Sequence, residues 1–282
     1  MIADAHTHIF PKRIISDRSR FFEGEPAFSL LYSHPKARMV GGEELLNTMD
    51  EQGVSRSVCF GFPWMNAETC RAGNDAVFEA AQKSDGRLIP FATLPCASLD
   101  EAFAELARCA DMGFAGIGEL AQYNETDPQK RLAWMMAVCL EVERLGLPVL
   151  LHVAEEVGHD YPGKGGLGPK EALAIAEKIE KTPVILAHWG GGLFFHELMP
   201  ELKKTLTNVY YDTAASPYLY DPKILDVAVR IVGADRILFG SDYPLIKPKR
   251  YLDQAEAAGM HGEVFEKLFG KNLMKLLEGL MR

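Results

Sequence analysis

Short apolar runs alternate with longer amphipathic ones from one end of the chain to the other. Eight short runs stand out: residues 2–6, 57–62 (SVCFGF), 88–94 (LIPFATL), 114–119 (FAGIGE), 148–153 (PVLLHV), 183–188 (PVILAH), 209–213 (VYYDT) and 237–242 (ILFGSD). They lack polar alternation, as expected of strands in a parallel sheet buried on both faces. The segments between them read as helices. Residues 98–112 open with a Ser cap and a Glu three positions on, and apolar residues follow at Leu99, Phe103, Leu106 and Ala110 before Gly113 stops the helix. Residues 169–179 and 221–232 behave similarly.

Eight strands each followed by a helix predict an α/β fold. A closed (β/α)8 TIM barrel satisfies the count without exposed edges, although an open doubly wound sheet would show the same alternation. The 282 residues suit a barrel of about 250 residues, and 48% hydrophobic residues supply one extended core. No linker or repeat interrupts the pattern, so residues 1–282 read as a single domain. Two connections exceed the usual loop of about 2–6 residues. Segment 9–42 carries Phe21, Phe22, Phe28, Leu30, Leu31 and Tyr32, and segment 154–168 is rich in Gly and Pro. Both are insertions at the carboxyl face of the strands, where barrel enzymes place their sites. A lid and a packed decoration are both compatible with them.

Charge narrows the partners. With 30 basic and 39 acidic residues the net charge is −9, which disfavours nucleic acid and anionic membranes. A small-molecule substrate is the expected partner, and a homodimer is an allowed assembly. No apolar run approaches the roughly 20 residues of a membrane span, and the amino terminus has no secretory signal pattern. The five cysteines are odd in number and widely spaced, with no C-x-x-C. They read as free buried thiols in a reducing, cytoplasmic setting.

The candidate chemistry begins at His6-Thr7-His8. Residues i and i+2 share one side of a strand, so both imidazoles can face one divalent ion such as zinc, manganese or iron. Alone, an H-x-H is weak, and two chance surface histidines would look the same. Its partners add weight: His152 ends the fifth strand, His188 the sixth and Asp242 the eighth. Barrel closure would gather all five around one mouth. Buried without an ion, such a group would leave costly unpaired polar atoms.

These motifs, D-A-H-T-H, the strand-five His, A-H-W-G-G and G-S-D-Y-P, resemble the amidohydrolase superfamily over residues 4–244. The local segments are most similar to its amidohydrolase-related branch, which includes aminocarboxymuconate semialdehyde decarboxylase. The resemblance implies His6, His8, His152 and Asp242 as metal ligands. It gives His188 a second ion or the reactive water and substrate, and Asp242 the proton transfer. The fourth strand departs from the carbamylated Lys of many two-metal members and offers Glu119 instead. A Glu there resembles the bridging carboxylate of TatD-type nucleases; a Glu paired with a loop cation is the other reading. One or two ions are therefore expected, zinc foremost. The rival polymerase-and-histidinol-phosphatase type would show Asp-x-His at the last strand, and this chain has Asp242-Tyr243-Pro244.

Three functions follow. The leading expectation is hydrolysis of an ester, lactone or amide by metal-activated water, with Asp242 and His188 as catalytic groups. The second is non-oxidative decarboxylation of an aromatic or unsaturated acid. It would want a basic group for the carboxylate, and only loop residues Arg13, Arg18, Arg20 or Arg71 offer one. The third is a catalytically silent metal-binding scaffold. Among flanking residues, Asp212 is a candidate to orient a ligand His, and Trp64, Tyr123, Trp189 and Tyr243 could line a pocket or pack the rim. His159 and Glu155 read as solvated loop positions.

Overall fold

A computed structural model describes residues 1–278. Eight parallel strands run in sequence order around one sheet: β1 (Ile2–His8), β2 (Val54–Phe60), β3 (Leu88–Ala92), β4 (Gly116–Leu120), β5 (Val149–Leu151), β6 (Val184–Leu186), β7 (Val209–Asp212) and β8 (Ile237–Leu238). The last strand returns to the first. Ala5 N–H donates to Phe239 O and His8 N–H to Tyr243 O, both at 2.7 Å, and Asp242 N–H donates to His6 O at 2.9 Å. These bonds close the (β/α)8 barrel.

The packing follows from the apolar runs. One set of strand side chains faces the helices, and the other fills the barrel, where Ala3, Ala5, Val58, Phe91, Leu150, Ile185 and Leu238 meet. Among the helices, Leu99–Met112 has its N-cap as expected, with the Ser98 hydroxyl accepting from Glu101 N–H. Its buried face is rotated relative to the expected stripe, because Ala102, Glu105, Leu106 and Cys109 go inward. Glu105 tolerates that position by accepting from Arg108 and Asn74. The five cysteines are buried and unpaired. Among the described residues, no helix is long and apolar enough to cross a membrane.

Several regular strands stop short of their apolar runs. His152, His188 and Asp242 lie just past the ends of β5, β6 and β8 rather than within them. His188 (φ 55°) and Asp242 (φ 60°) are left-handed, a conformation that costs a non-glycine residue energy and tends to persist at functional sites. The bends turn these side chains into the mouth.

The two insertions pack rather than dangle. Segment 9–42 folds into short helices, including Pro26–Tyr32, and buries Phe10, Ile14 and Phe28 against Phe62 and Trp64. Glu25 anchors it: the buried carboxylate accepts from Met65 N–H at 2.9 Å and Asn66 N–H at 2.8 Å. In segment 154–168, the Lys164 ammonium donates to the carbonyls of Val157, Gly158 and His159.

Candidate metal centre and active site

His6, His8, Glu119, His152, His188 and Asp242 converge at the carboxyl mouth of the barrel. Three overlapping groups of them, His6–His8–Glu119, His6–His188–Asp242 and Glu119–His152–His188, have donor atoms within 4.8 Å of one another. What demands a cation is the direction of the lone pairs. The Nδ1 of His6 lies 2.8 Å from Asp212 Oδ2, and the Nδ1 of His8 lies 3.3 Å from Gly61 O. A carboxylate and a carbonyl only accept, so both Nδ1 atoms carry the hydrogen. The two Nε2 lone pairs then face each other at 3.2 Å, with Asp242 Oδ1 3.2 Å from His8 Nε2 and 3.7 Å from His6 Nε2. Neighbouring donors about 2.1 Å from one ion sit roughly 3.0–3.4 Å apart, which this group nearly matches.

The other half repeats the pattern. His188 Nδ1 donates to Ala214 O at 3.1 Å, and His152 Nε2 donates to Gly163 O at 3.0 Å. That leaves His188 Nε2, His152 Nδ1 and Glu119 Oε1 facing one another, with spacings of 3.1, 2.9 and 3.3 Å. Glu119 Oε2 turns to the first group, 3.8 Å from His6 and 3.9 Å from His8. All these acceptors need a metal ion or a proton between them, so the donor set fits a divalent cation. Glu119 belongs to the cluster and not to a loop cation.

Electrostatics agree with the geometry. Burial works against charge on His6, but the carboxylates of Asp212 and Glu119 outweigh it and push its pKa up to about 9. The same opposition, led on the raising side by the hydrogen bond and charge of Glu119, brings His188 up to about 10. Burial disfavours charge on Glu119 and Asp242 too, yet the surrounding histidines hold Glu119 well below the usual carboxylate range and Asp242 at about 2. Metal-free, this cluster of acceptors draws in protons.

Above the donors lies a cavity of about 480 Å³, within the size range of small-molecule sites. Leu31, Tyr32 and Arg38 from segment 9–42 and His159, Tyr161 and Pro162 from segment 154–168 line it, with Phe62 and Tyr123. His159 is exposed, as expected of a solvated loop position, and it borders the cavity as well. Glu155 is also engaged, accepting from the Tyr161 hydroxyl at 2.9 Å. Of the candidate aromatics, only Tyr123 reaches the cavity; Trp64, Trp189 and Tyr243 are fully buried. Arg13, Arg18, Arg20 and Arg71 do not line it; among the described residues the arginine that does is Arg38, at the end of an irregular stretch with no periodic signal.

The sequence profile of the amidohydrolase family matches residues 3–278. The chain belongs to the amidohydrolase family. Within this family it is 28% identical over 222 residues to gamma-resorcylate decarboxylase of Rhizobium sp. (strain MTP-10005), covering 63% of this chain and 66% of that relative's length. It is 22% identical over 295 residues to 2-amino-3-carboxymuconate-6-semialdehyde decarboxylase of Dictyostelium discoideum, covering 86% of this chain and 81% of the relative. A solved 2,6-dihydroxybenzoate decarboxylase bound to 2,6-dihydroxybenzoate shares the fold with a TM-score of 0.72 at 21% identity, covering 98% and 99% of the two chains. A dihydroxybenzoic acid decarboxylase of Polaromonas sp. JS666, with bound manganese and 2-nitroresorcinol, gives 0.73 at 20% identity, covering 100% and 97%.

These relatives overturn the expectation of hydrolysis. The physical reason is that the H-x-H, His, His and Asp set builds a metal centre without choosing the bond to be broken. The same donors serve C–C cleavage once the cavity presents an acid instead of an acyl group.

Proposed function

We propose that this chain is a metal-dependent, non-oxidative decarboxylase of an aromatic carboxylic acid. The observation that carries the reading is the donor cluster of lone pairs beneath an aromatic-walled cavity, in a chain whose matched relatives are decarboxylases. His6, His8, Asp242, Glu119 and His152 would hold a divalent ion, which would supply positive charge for the substrate's ring hydroxyl oxygen. Imidazole and carboxylate donors without thiolate suit manganese as well as zinc, so manganese is the ion to load first.

His188 is the proton donor in this reading. Its Nδ1 is committed to Ala214 O, so only Nε2 faces the site, and Glu119 Oε1 at 3.3 Å favours a proton there. The bond from the ring carbon to the carboxyl carbon breaks, carbon dioxide leaves, and the electron pair left on the ring carbon takes that proton. The donor atoms of Asp242 and His188 lie within 4.8 Å of each other, so in this reading the Asp242 charge favours the return of a proton from solvent to His188 between turnovers. Apolar walls exclude water, whose protons would compete with the placed one.

The test is release of carbon dioxide from a panel of hydroxybenzoic acids by manganese-loaded protein, beside esters and lactones. Decarboxylation is expected for at least one acid. In the His188→Asn variant it should fall by about 10²–10⁴-fold, while bound metal stays near the wild-type level. Full activity in that variant, or hydrolysis without decarboxylation, would sink the reading.

A further inference from the structure

Four tyrosines line the cavity, and among the described residues Tyr32, Tyr123 and Tyr218 make no hydroxyl hydrogen bond; Tyr218 stands out in solvent, 54% exposed. Tyr32 comes from segment 9–42 and Tyr123 from the turn after β4, and both line the space above the donors. Neither hydroxyl makes a side-chain hydrogen bond among the described residues, whereas Tyr161 beside them donates to Glu155. Both rings are held firmly. Tyr32 packs edge-on against Phe10 at 5.2 Å and tilted over Phe28 at 4.9 Å, and Arg18 donates to its carbonyl at 3.2 Å. Tyr123 lies parallel to Phe62 at 6.3 Å and edge-on to His152 at 5.0 Å. A phenol is neutral at ordinary pH and carries an O–H, so both hydroxyls can donate.

We propose that Tyr32 and Tyr123 are the residues that hold the substrate carboxylate over the metal centre, as neutral hydrogen-bond donors. They line the same cavity as Glu119 and Asp242, and Tyr123 packs on His152, beside whatever part of the substrate sits deepest. Arg38, at the rim, is already paired with Glu44 at 2.7 Å and lies over the Tyr243 ring. A neutral donor suits the reaction better than a guanidinium would. The carboxylate loses its negative charge as it becomes carbon dioxide, so a cation gripping it would stabilise the ground state more than the transition state. Two phenols orient the group at a smaller penalty, which accounts for the lack of an arginine at the donors among the described residues.

The inference rests on the aromatic-acid reading, and its test uses binding rather than turnover. Manganese-loaded wild type, Tyr32→Phe and Tyr123→Phe are titrated with 2-hydroxybenzoate and with its uncharged isostere 2-nitrophenol. Each Phe variant keeps the ring packing, and unchanged metal content serves as the control. Each is expected to weaken 2-hydroxybenzoate about tenfold, as for a lost hydrogen bond to a charged group, and 2-nitrophenol less than twofold. Equal losses for the two probes, or none, would overturn the inference and leave the decarboxylase reading standing. If neither probe binds wild-type protein, the aromatic-acid reading falls and takes this inference with it.

Discussion

Asp212 receives the Nδ1–H of His6 at 2.8 Å with both side chains fully buried, and this one contact turns the His6 Nε2 lone pair into the mouth of the barrel. The other oxygen of Asp212 is equally occupied, accepting from the backbone N–H of His188 at 3.0 Å and of Ala214 at 2.9 Å. One carboxylate on β7 therefore sets the tautomer of a donor on β1 and the bend that carries a donor just past β6.

Asp212→Asn should damage both. All three partners of Asp212 are donors, so an amide NH₂ group meets an N–H whichever way it turns. Metal affinity is expected to drop about 10–100-fold, and stability by about 1–3 kcal/mol. Metal content after dialysis and a thermal melt of the metal-free protein read the two effects separately. Wild-type metal retention would show that His6 does not depend on Asp212.

Gly240 defines a second dependence. A Cβ there would lie 2.8 Å from His6 Cβ and 3.3 Å from Asp212 Cγ. Both neighbours ride on strands and cannot yield as a flexible side chain would. Gly240→Ala should therefore displace the His6–Asp212 pair, costing about 1–3 kcal/mol in overpacking and lowering metal affinity alongside. Metal titration by calorimetry checks it, and a variant that melts and binds like wild type would contradict the crowding.

Glu25 links the cavity wall to the barrel. Removing its carboxylate in Glu25→Ala leaves the amides of Met65 and Asn66 without their acceptor. A loss of about 2–4 kcal/mol is expected, seen as a lower denaturant midpoint. The variant should also raise KM more than it lowers kcat, because segment 9–42 carries Tyr32 and Arg38 but none of the metal donors.

The barrel was legible because each strand repeats one local rule, an apolar run buried on both faces. His6, His8, His152, His188 and Asp242 could be found for the same reason: they stand at the ends of such runs. Glu119 was ambiguous, since only the structure places one oxygen toward His152 and the other toward His6 and His8. The cavity wall was opaque. Tyr32 ends a helix of seven residues, and Arg38, His159 and Tyr161 come from irregular chain, so no sustained period announces which side chain turns inward. The reaction was opaque as well, because the donor set is common to hydrolysis and decarboxylation, and what separates them is the wall.

The protonation of His6 makes metal binding depend on pH in a calculable direction. In metal-free protein its pKa stands at about 9, above the ordinary 6.5, because Asp212 and Glu119 outweigh burial. A raised folded pKa contributes stability that is complete below the unfolded value and lost as pH climbs through the folded one. The metal-free protein should thus weaken between about pH 6.5 and 9. An ion needs the Nε2 lone pair and must displace this proton, so binding releases it. Apparent manganese affinity should accordingly rise by up to about tenfold per pH unit over that window. Titrations of chelator-stripped protein between about pH 6.5 and 8.5, in buffers of different ionisation heat, give both affinity and proton count. A flat affinity would mean that His6 is already neutral in the metal-free protein, so that the Asp212 hydrogen bond orients the ring without holding a charge on it.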